Sequence, residues 1–422
     1  MGKRLQIDFV EIKSVAFAEK SYLENGALYI DKQELLDKMQ SDMFSSLQIE
    51  LVAPGEDVRL LGVHDITQPR VKADEPEASF PGIWGNVKPA GEGRTVALRG
   101  VVVTELYPLK ANLKYILDMS GPAAEVSHFS RHYHVVINAS PVAGIDDVAY
   151  CKALKQAALT ACVCLARLAI ETVPSESKIY ELTPVPPAAD GSRLPRVAYI
   201  TNHLAAFDTM QFFYYGISGQ GILPLLVHPN DLLDGAFIYR YFYFTYYIQN
   251  DTVIYELYSR HGLDLDFAGV VLNNGQTVTK NKDVCTMVAV DLAKNHLQAD
   301  IVITNKCGMH HLQLEQAMIC EKCAELGIAA VAIMPTVSSE KPGDLLAVVN
   351  PHLDAVVHSA YVETITFPRV ARLIGDSEIP SLLGVDLQGP FTKSTNLLLA
   401  GNLSELGDFY PTTDTELIRK EG

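Results

Sequence analysis

The chain has 422 residues, 48% hydrophobic and 20% charged, with 34 basic against 50 acidic side chains and a net charge of −16. Such a length exceeds what one core usually serves, so two domains are expected. So acidic a chain has no basic stripe for nucleic-acid phosphates, and its start, MGKRLQIDFV, leads into no apolar signal segment.

The first 110 residues read as β-rich with frequent turns: Glu24-Asn25-Gly26 between SYL and ALYI, Pro54-Gly55, and Gly91-Glu92-Gly93 before TVALRGVVVTEL. An Asn-Gly flanked by apolar residues is a hairpin signal. A helix is expected over 146–172, with aspartates at its start where the helix dipole favours them. Its most apolar stretch, 153–170, carries Lys155 and Arg167 and reads as a buried helix, not a membrane span. The segment 173–196, VPSESKIYELTPVPPAADGSRLPR, is rich in proline and polar residues and is assigned as the linker between domains 1–172 and 197–422.

The second half alternates apolar strands (196–201, 222–228, 267–272, 299–304, 329–334, 355–359) with helical patterns such as VCTMVAVDLAKNHL and LQLEQAMICEKCAELG. That alternation predicts βαβ units and a mostly parallel sheet, whose ligands bind at the carboxyl ends of the strands. The fold class is therefore α/β: a β-rich α+β N-terminal domain followed by a C-terminal α/β domain. Asn273-Asn274-Gly275 falls at one such strand end, so Asn274 is a candidate site-lining residue. Gly216, Gly219 and Gly221 lack the order of a dinucleotide fingerprint and read as a loop.

Two clusters invite a metal. His128, His132 and His134 fall close together, and with Glu125 they offer a weak zinc or iron alternative; a polar strand edge is the preferred reading. Cys307, His310 and His311 precede Cys320 and Cys323, but the latter pair sits in a helical pattern where cysteines pack as core. No metal is favoured. The seven cysteines, odd in number and set in apolar patterns, fit a reducing cytoplasm better than a disulfide framework.

Seven segments in order carry a resemblance: KSVAFAEKSYLENGALYIDKQEL, ITQPRVKADEPEASFPG, GEGRT, DMSGPAAE, LPRVAYI, ILPLLVHPNDLLDGA and VIYELYSRHG. Together they resemble the α/β proprotein subunit of component B of glycine, sarcosine and betaine reductases. The resemblance implies reductive C–N cleavage of a small amine by an oligomeric complex with other reductase subunits and a selenoprotein or thiol partner. It also implies a pyruvoyl cofactor made from a cysteine of the chain itself. Asp118, Ser120, Gly121, Glu125, Asp234 and Gly235 fall in its motifs and become candidate site-lining residues.

The chain departs from that pattern after LLDGA. It runs FIYRYFYFTYY over 237–247, and no cysteine occurs between Cys164 and Cys285. Thr245 is the Ser/Thr-type nucleophile of the run; it would yield a ketobutyryl group, and no activating base is evident beside it in sequence. A self-made pyruvoyl is therefore not expected, and the catalytic residues stay unassigned. Tyr239, Tyr241 and Tyr243 are expected on a strand, as packing and as an interface with a partner. Three readings stand: a reductase-type subunit, a non-catalytic scaffold or regulator of such a complex, and a histidine-cluster metalloenzyme.

Overall fold

The computed structural model describes residues 3–74, 80–81, 90–107, 115–205, 211–240, 243–305, 311–336, 354–361, 364–375, 379, 382, 384–394 and 416–419. The expected hairpin forms at Asn25-Gly26, where φ is 52° and 83°. Two successive positive angles suit asparagine and glycine and match the twist of the flanking strands Tyr22–Glu24 and Ala27–Asp31.

Two larger sheets and a three-stranded one, formed by Ser14–Ala18, Ala27–Asp31 and Tyr22–Glu24, build the N-terminal half. One of the larger two has the order Glu176–Glu181, Arg4–Glu11, Gly93–Arg99, Arg70–Lys72. The other runs Tyr115–Asp118, Val58–Thr67, Val101–Leu106, Tyr133–Pro141, Phe44–Val52. The helix Asp147–Arg167 starts at Asp146, whose carboxylate accepts from the Ala149 amide at 2.9 Å. By length and composition it is apolar enough to cross a bilayer. Here it buries Leu154, Ala158, Cys162 and Leu165 in the core, as its charged residues predicted.

In the C-terminal half a seven-stranded sheet has the order Leu225–Val227, Asp266–Gly275, Arg196–Leu204, Ile301–Thr304, Ala329–Thr336, Ala355–Tyr361, Glu416–Arg419. The five central strands are parallel and the two edges antiparallel. The chain starts at Arg196–Leu204, steps to one side, then returns to the other. The order reverses between Arg196–Leu204 and Ile301–Thr304, and in sheets of this kind the carboxyl ends of the strands at such a reversal are where ligands bind.

The proposed division at 173–196 acquires two structural qualifications. Within that span Glu176–Glu181 pairs antiparallel with Arg4–Glu11. Further on, Arg372–Gly375 returns to pair with Val58–Thr67. One core cluster joins Leu5, Phe9 and Val63 to Tyr199, Tyr247 and Phe267, so the two halves share buried surface.

Candidate functional site

The LLDGA motif forms the short helix Pro229–Asp234, stopped by Gly235 at φ 113°. Asp234 accepts from the Gly91 amide at 2.7 Å and the Thr95 hydroxyl at 2.5 Å, and pairs with Lys72. Asn230 donates to the carbonyls of Gly91 and Tyr180, both at 3.1 Å, and accepts from the Tyr258 hydroxyl. The buried Arg70 reaches the Leu233 carbonyl. A methyl at Gly235 would come within 2.7 Å of the Phe80 ring. Motifs far apart in sequence thus close on one another. Asp234 and Gly235, expected to line a site, belong to this clasp, where Lys72 and the Gly91 and Thr95 donors partner the Asp234 carboxylate.

Asp118 plays a similar part elsewhere. Its carboxylate takes both ends of the Arg59 guanidinium, at 2.6 and 2.7 Å, and Arg59 donates to the carbonyls of Pro368 and Leu387. Gly121, with φ 76°, lies where a Cβ would stand 3.0 Å from Pro368; Ser120 is half-buried and Glu125 exposed. Through Arg59 the DMSGP segment is tied to the backbone at Pro368 and Leu387.

A charged group lies fully buried below the aromatic run. Lys155 pairs with both Asp65 and Glu105, and His64 meets Glu105 at 3.3 Å. Burial pushes Asp65 up to about 6 against the pull of Lys155. Burial acts the same way on Glu105, yet Lys155 and His64 bring it below its usual range. Asp65 also accepts from the Thr245 amide at 2.7 Å and the Thr245 hydroxyl at 2.5 Å. Thr245 therefore does have a carboxylate against its hydroxyl, contrary to the sequence reading. The sequence showed no such base because it sits 180 residues away.

From Thr245 a polar path continues into the second half. Its oxygen accepts from the Tyr239 amide at 3.0 Å. The Tyr239 hydroxyl meets His203 Nδ1 at 2.5 Å, and His203 Nε2 meets the Thr201 hydroxyl at 2.7 Å. Burial pushes His203 down to about 3, so the ring is neutral, donating from one nitrogen and accepting at the other.

Among the described residues only the start of the aromatic run is the strand its period suggested. Phe237–Arg240 is a strand, and Thr245–Gln249 is a helix; Tyr241 lies outside the described residues. Tyr239 is 0% and Tyr243 4% exposed within the single chain. Both belong to its core, so neither is presented to a partner and the interface expectation for them is corrected. The rings of Phe244, Tyr246 and Tyr247 pack around Phe129 at 5.2 to 5.3 Å, which joins this run to the histidine segment.

The three histidines do not converge. His128 and His132 lie 4.9 Å apart, and each meets the Tyr246 hydroxyl at 3.3 Å. His134 turns away, with Nδ1 at the Thr104 hydroxyl (2.7 Å) and Nε2 at the Phe129 carbonyl (2.9 Å). Burial lowers His128 to about 3 and His132 to about 4. Among the described residues no group of three His, Cys, Asp or Glu side chains is placed to hold a metal. Cys307 and His310 lie outside the described residues; Cys320 and Cys323 are buried mid-helix, where burial pushes both thiols up.

At the carboxyl ends of the parallel strands, Asn274 donates to the carbonyls of Gly219 and Ile222, tying down the glycine loop. These strand ends also carry Asn202, Asn273 and Asn305, and the helix His311–Glu325 brings Gln316 to them; all four are buried and none is singled out by the sequence motifs. Their alignment depends on register across several strands.

Fold and site together define an α/β protein whose parallel sheet reverses its strand order at Arg196–Leu204, a strand from which a buried polar path runs into the β-rich half. Residues 3–394 match the family of glycine/sarcosine/betaine reductase component B subunits. The chain belongs to that family. It is 31% identical over 421 residues to the sarcosine reductase complex component B subunit alpha of Peptoclostridium acidaminophilum, covering 95% of this chain and 97% of the relative. It is 31% identical to the glycine reductase complex component B subunits alpha and beta of Acetoanaerobium sticklandii, covering 88% and 89%. The betaine reductase complex component B subunit alpha of Peptoclostridium acidaminophilum is 27% identical over 69% of each chain. No solved structure matches the chain.

Proposed function

We propose that this protein is the component B-type subunit of an amino-acid reductase complex. It works with other reductase subunits, including a selenoprotein or thiol partner, on a small amine substrate, in the cytoplasm and away from membranes. The observation that carries this reading is the clasp around Pro229–Asp234, where family segments spread over the chain meet through their polar side chains. A scaffold so completely retained supports continued membership of the complex.

The chain does not make its own pyruvoyl in this reading. No cysteine lies between Cys164 and Cys285, and the Thr245 hydroxyl is pinned between Asp65 and the Tyr239 amide. An intact mass of 46.3 kDa is expected, with no carbonyl labelling by phenylhydrazine. Mixed with its partner proteins, the chain should enter one complex on size exclusion; elution apart from them under all conditions would refute membership. Asp65 beside Thr245 favours one second reading. Two fragments meeting at Phe244 and Thr245 would assign Thr245 as a nucleophile and Asp65 as its base.

A further inference from the structure

Four amide side chains cross the carboxyl ends of four adjacent parallel strands, at the reversal of strand order. The Asn202 backbone amide donates to Asn305 Oδ1 at 3.0 Å. Asn202 Nδ2 donates to the Thr304 hydroxyl at 2.8 Å and to the Asn305 carbonyl at 2.5 Å. Its Oδ1 then accepts from Asn273 Nδ2 at 2.7 Å. Gln316 Nε2 donates to the carbonyls of Thr304 (2.8 Å) and Ile333 (2.9 Å).

These partners fix which way every amide points. Turning Gln316 or Asn202 round would set an oxygen against a carbonyl oxygen, and turning Asn305 round would set its NH2 against a backbone N–H. Asn273 follows from Asn202. The fixed orientations leave Asn273 Oδ1 and Gln316 Oε1 as acceptors and Asn305 Nδ2 as a donor, all buried and without a hydrogen-bond partner among the described residues. Asn273 and Asn305 are 0% exposed and Gln316 1%. Buried polar atoms are almost always satisfied, by protein, water or ligand. Three unsatisfied ones in a single layer, where sheets of this strand order bind their ligands, mark a binding site.

We propose that this amide layer binds the ammonium group of a small amino acid and selects for ammonium groups that carry N–H bonds. This rests on the amine-substrate reading above and assigns residues to it. An unused amide oxygen suits an N–H donor of a primary or secondary ammonium, and Asn305 Nδ2 suits an oxygen of a carboxylate. A quaternary ammonium has no N–H to offer, so it would leave Asn273 Oδ1 and Gln316 Oε1 unpaired. A site built to accept hydrogen bonds rejects an analogue that lacks the donors.

The test is calorimetric titration of the full chain with glycine, N-methylglycine and N,N,N-trimethylglycine. The first two should bind, with the trimethyl compound at least tenfold weaker. Asn273→Leu should abolish binding. Gln316→Met should weaken glycine binding at least tenfold while leaving the trimethyl compound unaffected, since only an N–H donor can use the oxygen it removes. Circular dichroism verifies that each variant is folded, and a loss confined to the ligands that carry N–H bonds is a result that misfolding cannot mimic. Equal binding of the trimethyl compound, no binding of any of the three, or glycine binding unchanged in both Asn273→Leu and Gln316→Met overturns the proposal and leaves the layer to buried water. Because the titration needs no partner, its failure is distinct from failure to join the complex.

Discussion

Two buried polar regions of this protein differ in how completely they are paired. Around Lys155, two carboxylates and an imidazole of the N-terminal half partner one another and the Thr245 hydroxyl of the aromatic run. In the amide layer of the C-terminal sheet, uncharged groups bind one another yet leave two oxygens and one NH2 unused. A closed network holds a fold in one arrangement. An open one has capacity left for something else, and neutral amides can leave it open at far lower cost than charges can.

The largest expected effect breaks the closed region. Lys155→Met leaves Asp65 and Glu105 buried without their cation, and should cost about 3–5 kcal/mol in urea unfolding. Next comes the aromatic run that covers it. Tyr243→Ser removes a buried ring and should lower stability by about 3 kcal/mol, with the size-exclusion elution of the folded chain unchanged. A shift in assembly with normal melting would restore the interface reading. Gly235→Ala forces a side chain onto φ 113° and into Phe80, which should cost about 2 kcal/mol and loosen the clasp.

His203 lies on the polar path that leaves the closed region through Thr245 and Tyr239, and its test is a slope. Burial takes it to about 3 from 6.5, so the unfolded chain binds that proton first as pH falls. The stability it contributes is complete above about pH 6.5 and is lost at about 1.4 kcal/mol per pH unit on the way down towards about 3. His203→Phe should start less stable, since it gives up its bonds to Tyr239 and Thr201, but should lose less per pH unit between 6 and 4. Equal slopes for the two proteins would show that the ring is not held neutral. The smallest effect sharpens the contrast. Asn273→Leu removes one neutral hydrogen bond and should cost about 1 kcal/mol, several-fold less than Lys155→Met.

Much of the fold is legible because its signals are local. The strand at 267–272 lengthens to Asp266–Gly275, and the helix of 146–172 shortens to Asp147–Arg167. Both keep their kind because burial period and capping aspartates act over a few residues. The aromatic run misleads for the same reason. Alternating Tyr239, Tyr241 and Tyr243 imitate a half-buried strand, whereas Thr245 turns into a helix once Asp65 accepts from its amide. The motif aspartates were legible as important but not as to role: Asp234 and Asp118 hold segments together.

The sequence alone determined the family, the α/β class and the missing cysteine, since these reside in residue order and in patterns read over short windows. Only the tertiary structure decided that Thr245 lies against a carboxylate, that Tyr239 and Tyr243 are core, and that three amide groups keep atoms free at the reversal of the sheet. Each of these depends on which distant backbones lie side by side, and register between strands is set by the packing of the whole core.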